Sequence, residues 1–317
     1  MPRPKVSVCI PTYNRSSYLA RTVSTVLAQT FKDYELIVVD NASDDDTPQV
    51  VAALTDPRIR YYRNESNLGM VGNWNRCVQL AQADYVAILH DDDLWSEHYL
   101  ARVVPVLDHH GNVGLVYSAA VIVDGDGKPH HVHTHWTDNR IVNGRLEFSE
   151  LIVNNRILCP TVTVRRMCYE RRGVFDESVL LGADWEMWLR ICLYYDVAYI
   201  AEPLAYYRMQ YGSISDELDA SQDGKNFKLN DACNVVEKGM LAAHKAGMPE
   251  LVTLARRSLA NFHFRIAYEN RRMADPLAAI KHIRKALANR PMLVFMCFRL
   301  ILKILVYTIL GYGRSKG

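Results

Sequence analysis

Three aspartates in a row, Asp91-Asp92-Asp93, follow the run Tyr85-Val86-Ala87-Ile88-Leu89-His90. The run has the length and residue types of a buried strand, so the carboxylates emerge at its carboxyl end. Three clustered negative charges repel one another. A divalent cation relieves that repulsion, and hard oxygen ligands suit Mg²⁺ or Mn²⁺. Open α/β sheets bind ligands beyond the carboxyl ends of their strands. The pattern therefore points to a metal-assisted site for a phosphorylated ligand. The competing reading is structural: an acidic helix start, with Asp93 capping a helix over residues 94–107.

The elements around this triplet alternate between strand and helix. Val6-Ser7-Val8-Cys9-Ile10 reads as a strand ended by Pro11, and residues 18–29 have helical spacing. Glu35-Leu36-Ile37-Val38-Val39 is a second buried strand, ending at Asp40. Residues 47–54 read as helix, 58–62 as strand and 73–81 as helix. Such alternation with short links predicts an α/β, Rossmann-like fold: a mostly parallel sheet with helices on both faces. Three strand ends carry polar residues: Pro11-Thr12-Tyr13-Asn14-Arg15, Asp40-Asn41-Ala42-Ser43, and His90 to Asp93. In a parallel sheet these ends share one edge, so the three sets are expected to converge on one cleft.

Further strands are expected at residues 113–123 and 159–165, with a hairpin turn at Asp124-Gly125-Asp126-Gly127. That turn mimics the start of a calcium loop. Pro129 stands where glycine is needed and His135 where the bidentate glutamate is needed, so the match fails. His131, His133 and His135 alternate along one strand face and read as a solvated edge. A helix starts within Leu181-Gly182-Ala183-Asp184-Trp185-Glu186-Met187-Trp188. Beyond about residue 225 the pattern is helical throughout. We expect two regions, 1–222 and a helical carboxyl-terminal extension at 223–317.

The 317 residues are 49% apolar and 23% charged, a globular composition. Seven cysteines are scattered without C-x-x-C spacing, as expected of reduced thiols in a cytoplasm rather than a zinc site. The first residues run directly into a strand without a signal-peptide pattern. Net charge is +2, but residues 251–317 hold thirteen Lys or Arg against two acids, a net +11 that leaves −9 elsewhere. A basic end beside an acidic body suggests an anionic partner for the tail.

The three strand-end motifs, together with Gly182-Ala183-Asp184-Trp185-Glu186-Met187-Trp188, resemble the motifs of family 2 glycosyltransferases of the GT-A fold. The resemblance covers roughly residues 5 to 215. It implies transfer of a sugar from a nucleoside diphosphate donor, UDP or dTDP, to an acceptor hydroxyl with inversion at the anomeric carbon. Asp92 and Asp93 match the metal-binding end of the acidic motif, with Asp91 toward the ribose; His90 stands where relatives usually carry its first aspartate. Asp184 matches the base that takes the proton of the incoming hydroxyl, a position where burial beside Trp185 and Trp188 raises a carboxyl pKa. Taken alone, Asp184 reads first as a helix N-cap, and it is the resemblance that reverses that reading. Asp40 and Asn41 match the nucleobase region. Pro11, Tyr13 and Arg15 belong to the first donor motif, and Asn75 matches an asparagine near the donor. Gln210 stands where many relatives place a histidine that completes the metal shell.

Residues 292–310 are nearly all apolar, interrupted by Arg299 and Lys303 on one helix face. This predicts a helix lying in a membrane interface, its cations toward anionic headgroups; packing against protein is the alternative. The membrane reading implies a lipid-linked saccharide acceptor and a location at the cytoplasmic membrane face, with no role for nucleic acid. Two other functions compete. A nucleotidyltransferase needs a basic, glycine-rich phosphate loop after its first strand, where this chain has Pro-Thr-Tyr-Asn-Arg. A non-catalytic nucleotide-sugar binding module has no need of Asp184.

Overall fold

The computed structural model describes residues 3–209, 218, 221–272, 276–292 and 302. They divide into two compact units: Met1–Leu151 with Asn155–Ser213, and Ile152–Asn154 with Ile214–Gly317. The sequence reading did not anticipate that residues 152–154 group with the second unit.

The first unit opens with β1 (Val6–Thr12), α1 (Ser16–Leu27), β2 (Tyr34–Asp40), α2 (Thr47–Ala52), β3 (Ile59–Arg63), α3 (Gly69–Leu80) and β4 (Tyr85–Ile88). All seven residues of β1 and of β2 are buried. That is what Val- and Ile-rich strands require when both faces are covered. On one face Val6, Val8, Ile10, Leu36 and Val38 share a core with Leu19, Val23 and Val26 of α1. On the other, Cys9 Sγ reaches Cys77 O in α3 at 3.6 Å.

The chain continues through β5 (Leu94–Trp95), α4 (Tyr99–His109), β6 (Val113–Val123), β7 (Pro129–His133), β8 (Arg140–Val142) and α5 (Gly144–Leu151). After a short 3-10 turn at Cys159–Thr161 come β9 (Val162–Arg165), α6 (Arg166–Arg172), α7 (Ala183–Cys192) and β10 (Asp196–Arg208). The sheet runs β3-β2-β1-β4-β9-β6-β10-β5, with β7 on β6 and β8 on β10. β3, β2, β1 and β4 are mutually parallel, as are β6 and β10, while β9 is antiparallel to both β4 and β6. The strand order reverses at β1, whose neighbours are β2 and β4. Such a switch point opens a crevice at the carboxyl ends.

Three local expectations change. Pro11 lies inside β1, paired with Val39, rather than ending it. Cys9 O accepts from Leu89 N and Thr12 O from Asn41 N, so alternate residues face β4 and β2. Pro11 therefore turns its missing N–H toward β4, past the last pair, Cys9↔Ile88. Asp93 does not cap a helix over residues 94–107. Leu94–Trp95 pairs with Ala205–Tyr206 of β10 as a short strand, and the helix begins only at Tyr99. β10 itself, the thirteen-residue strand beside β6, has no counterpart in the sequence reading. Its register with β6 shifts on both sides of Pro203, which is how a proline is accommodated within a sheet.

The second unit is helical: α8 (Gln222–Lys245), α9 (Pro249–Arg272) and α10 (Pro276–Asn289). Ser221 caps α8, its hydroxyl accepting from Gly224 N at 2.9 Å. Among the described residues no helix is long and apolar enough to cross a membrane. The apolar segment at 292–310, with Arg299 and Lys303, lies almost wholly outside them.

Candidate active site

β1, β2 and β4 end beside one another, and the chain leaves each through a polar turn. After β1, Asn14 adopts φ 54°, and after β2, Ala42 adopts φ 64°. Both are left-handed conformations that side chains disfavour. The two turns hold each other: Asn14 N donates to Ser43 Oγ at 2.9 Å, and Asp44 N to Asn14 Oδ1 at 2.7 Å. Pro11 is buried at the strand end, while Tyr13 is 42% exposed.

Asp40 is fully buried beneath these turns. Its carboxylate accepts from Ser43 N (2.8 Å), Tyr61 Oη (2.6 Å) and Arg63 Nη1 (3.0 Å). Asn41 is equally engaged. Its Nδ2 donates to Asn67 Oδ1 (2.8 Å) and Gly69 O (3.2 Å), and its Oδ1 accepts from Asn64 Nδ2 (3.0 Å) and Leu68 N (2.9 Å). Asn64 also donates to Asn73 Oδ1 at 2.9 Å, and Asn73 donates to Val39 O at 3.0 Å. This amide network fixes the segment at 64–69. That segment, with Arg63 and Arg76, lines a cavity of about 330 Å³. Asn75, two residues after Asn73 in α3, spends its amide on Phe175 N (2.9 Å) and Phe175 O (3.0 Å), tying the helix to the segment before α7.

The aspartate triplet is shaped from behind. Thr22 Oγ1, buried in α1, lies 2.7 Å from Asp91 O and 2.9 Å from Asp93 O. Arg208, closing β10, donates from Nε to Asp92 O (2.9 Å), from its backbone N to Asp93 Oδ1 (2.8 Å) and from Nη1 to Gly125 O (2.6 Å). It staples the triplet to the turn after β6. Asp92 turns its carboxylate toward β1, where Arg15 Nη1 meets Oδ2 at 2.5 Å.

His90, Asp92 and Asp93 each offer a ligand atom, and the three atoms lie within 4.8 Å of one another. His90 Nδ1 is 3.4 Å from Asp93 Oδ2. The imidazole stacks on Trp74, with ring centroids 5.2 Å apart and planes inclined by 21°. Asp93 Oδ2 and His90 Nε2 are buried and make no hydrogen bond among the described residues. One imidazole nitrogen and two carboxylates, with one buried carboxylate oxygen lacking a hydrogen bond, fit a divalent cation of the Mn²⁺ type.

Burial pushes Asp91 up to about 7, with the neighbouring Asp92 charge adding to the effect. It pushes Asp93 up to about 6 against the opposing pull of His90. Asp184, buried at the start of α7, also stands at about 6 because of burial; Trp185 N, donating to Oδ1 at 2.6 Å, pulls the other way. Tyr207 links the groups: burial raises its phenol to about 12, and the charges of Asp93, His90, Asp184 and Asp92 all act on it. Asp184 is thus near enough to His90 and Tyr207 for their charges to act on one another.

The structure thus sets Arg15 against Asp92 at the end of β4, between Asp91 and Asp93, with Asp184 close enough for its charge to act on Tyr207, and it ties Asp40, Asn41 and Asn75 into hydrogen bonds within the protein. Arg208, Thr22, Trp74 and the Asn64–Asn73 pair are site-forming residues that the motifs do not reveal. A cluster of asparagines at 64, 67, 73 and 75 was the visible trace of the amide network. Gln210 and the three residues after it lie outside the described residues.

The profile of Glycosyl transferase family 2 matches residues 7–173, more than half of the chain. The chain belongs to that family. It is 29% identical over 213 residues to an uncharacterized glycosyltransferase of Nostoc sp., covering 65% of each. It is 29% identical to the putative teichuronic acid biosynthesis glycosyltransferase TuaG of Bacillus subtilis, over 67% of this chain and 82% of that one. It is 26% identical to an Escherichia coli UDP-Glc:alpha-D-GlcNAc-diphosphoundecaprenol beta-1,3-glucosyltransferase, over 59% of this chain and 69% of the relative. The match thus spans slightly less than two thirds of the Nostoc relative and 58% of one from Rickettsia typhi. In fold it is similar to S. aureus TarS in complex with UDP-GlcNAc, with TM-score 0.59, 18% identity and 91% of each chain covered. It is also similar to a Pyrobaculum calidifontis mannosyltransferase in complex with GDP-Man and Mn²⁺, with TM-score 0.53, 20% identity, and 95% and 80% covered.

Proposed function

We propose that this chain is an inverting glycosyltransferase. It moves a sugar from a UDP- or dTDP-sugar to an acceptor hydroxyl, in the synthesis of a cell-surface polysaccharide. What supports this reading is the His90, Asp92 and Asp93 cluster, with the charge of Asp184 acting on the same Tyr207 phenol as those of Asp92 and Asp93. One set of groups suits a diphosphate leaving group and the other suits an incoming hydroxyl.

Asp92, Asp93 and His90 would hold the divalent cation, Mg²⁺ or Mn²⁺. When bound it supplies Lewis-acid stabilisation of the charge that develops on the diphosphate. The protein's own groups do the rest. Asp40 and Asn41 brace the walls of the nucleobase end, where the cavity at Arg63, Asn64 and Arg76 takes the base. Tyr13 lies along the base or ribose, and Asp91 faces the ribose. Asp184 Oδ2 accepts the acceptor's proton as its oxygen attacks the anomeric carbon. A carboxyl at about 6 is ionised at neutral pH yet basic enough for that task. A lipid-linked saccharide acceptor is supported by the Escherichia coli relative, whose name specifies a diphosphoundecaprenol-linked sugar.

The test is release of nucleoside diphosphate from a panel of UDP-, dTDP- and GDP-sugars with Mn²⁺ and a lipid-linked acceptor. Asp184→Asn should lower kcat by about 10³-fold, the scale of a lost general base. Asp92→Ala should abolish metal-stimulated turnover. If Asp184→Asn transferred sugar at the wild-type rate, Asp184 would not be the base.

A further inference from the structure

Arg15 is both half-buried and committed. Its side chain is 27% exposed and that of Asp92 is 16% exposed, and their atoms meet at 2.5 Å across 77 residues of sequence. Among the described residues this is Arg15's one ion pair. It precedes α1 at the N-cap position but makes no side-chain cap; the guanidinium is turned instead to the end of β4. The carboxylate it covers is one of the three groups whose ligand atoms gather within 4.8 Å. A protein cation therefore already neutralises a carboxylate that a metal would need.

We propose that Arg15 is a placeholder cation. It balances Asp92 in the ligand-free protein and gives that carboxylate up to the divalent ion when the donor's diphosphate arrives to receive the guanidinium. This rests on the glycosyl-transfer reading of the site and adds to it an order and a coupling. A guanidinium and a divalent ion on one carboxylate repel strongly at such separations. The displaced guanidinium needs a partner, and its planar fork matches phosphate oxygens better than any other group expected in the cleft. Metal alone must break the Arg15–Asp92 pair without compensation. Metal with diphosphate replaces that pair by two new ones. Each ligand therefore raises the other's affinity beyond their direct contact, and binding of one must strengthen the other by the same factor.

Mn²⁺ binding read by the loss of the free-ion electron paramagnetic resonance signal tests this, with and without UDP, in the full chain. Arg15→Gln should bind Mn²⁺ about tenfold more tightly than wild type in the absence of UDP, the scale of a lost charge pair. The enhancement of Mn²⁺ affinity by UDP should shrink in the same variant. Arg15→Lys keeps the competing charge and should stay close to wild type without UDP. Unchanged or weaker Mn²⁺ binding by Arg15→Gln overturns the placeholder role, since a residue that only contacts the donor, or only supports the fold, gives no gain. Asp92→Ala separates the two levels. If it binds Mn²⁺ as wild type does, the metal assignment itself is wrong, whatever Arg15 does.

Discussion

At the scale of single residues, burial decides the chemistry. Asp184 carries an ordinary carboxyl, yet its surroundings lift it to about 6. A base must be ionised to accept a proton, so turnover should rise with pH through about 6 and level off above about 7. A kcat profile between pH 5 and 8 at saturating Mn²⁺ and donor checks this, and the limb should vanish in the residual activity of Asp184→Asn. The same shift acts on stability with the opposite sign. The folded state holds the Asp184 proton more tightly than the unfolded chain, whose carboxyl sits near 4. That contribution is fully present below about 4 and is lost as pH rises through about 6. The free protein therefore loses part of its stability over the window in which the base becomes active.

At the scale of elements, the site is a set of turns held in unfavourable backbone by side-chain hydrogen bonds. Asn14 and Ala42 occupy left-handed conformations because Ser43, Asp40 and Asn14 itself supply bonds that repay them. Asn73 works one step away. It links α3 to β2 through Val39 O and anchors Asn64 in the cavity wall. Asn73→Ala takes one of the two acceptors of the half-buried Asn64 amide and leaves the buried Val39 carbonyl short of a donor, at a cost of about 1–3 kcal/mol. Urea unfolding of the sheet unit should show that loss, and UDP titration should show weaker binding as the wall loosens. Conversely, Asn41 and Asn75 match the family motifs but spend their amides inside the protein. Motif position located them, and only their hydrogen bonds revealed that they brace the site rather than face an open cleft.

At the scale of the whole molecule, the chain couples an acidic sheet unit to a basic carboxyl-terminal stretch. The segment at 292–310 with its flanking Arg284, Lys285, Arg290, Arg314 and Lys316 has the composition of an interfacial anchor. Full-length protein should float with liposomes containing anionic lipid, and a chain ending at Arg290 should stay at the bottom of the gradient. Salt should weaken the full-length interaction, because headgroup attraction is screened. Equal behaviour of the two chains would remove the membrane from the account of the acceptor.

Much of this molecule was legible in one dimension. Runs such as Glu35 to Val39 and Tyr85 to Leu89 read as strands buried on both faces, because they are short, apolar and rich in β-branched residues. Parallel pairing then obliges their polar ends to share one edge, which is why the acidic triplet and the first two motifs pointed to one cleft. What stayed hidden depends on contacts between distant residues. β10 carries Pro203 and reads as an unpromising strand, but bulges on either side let it pair with β6. Arg208 braces Asp92 and Asp93 from more than a hundred residues away. The Arg15–Asp92 pair spans 77 residues. Local sequence reports propensity and period, whereas the charge state and partner of a buried polar group are set by whatever the fold packs against it.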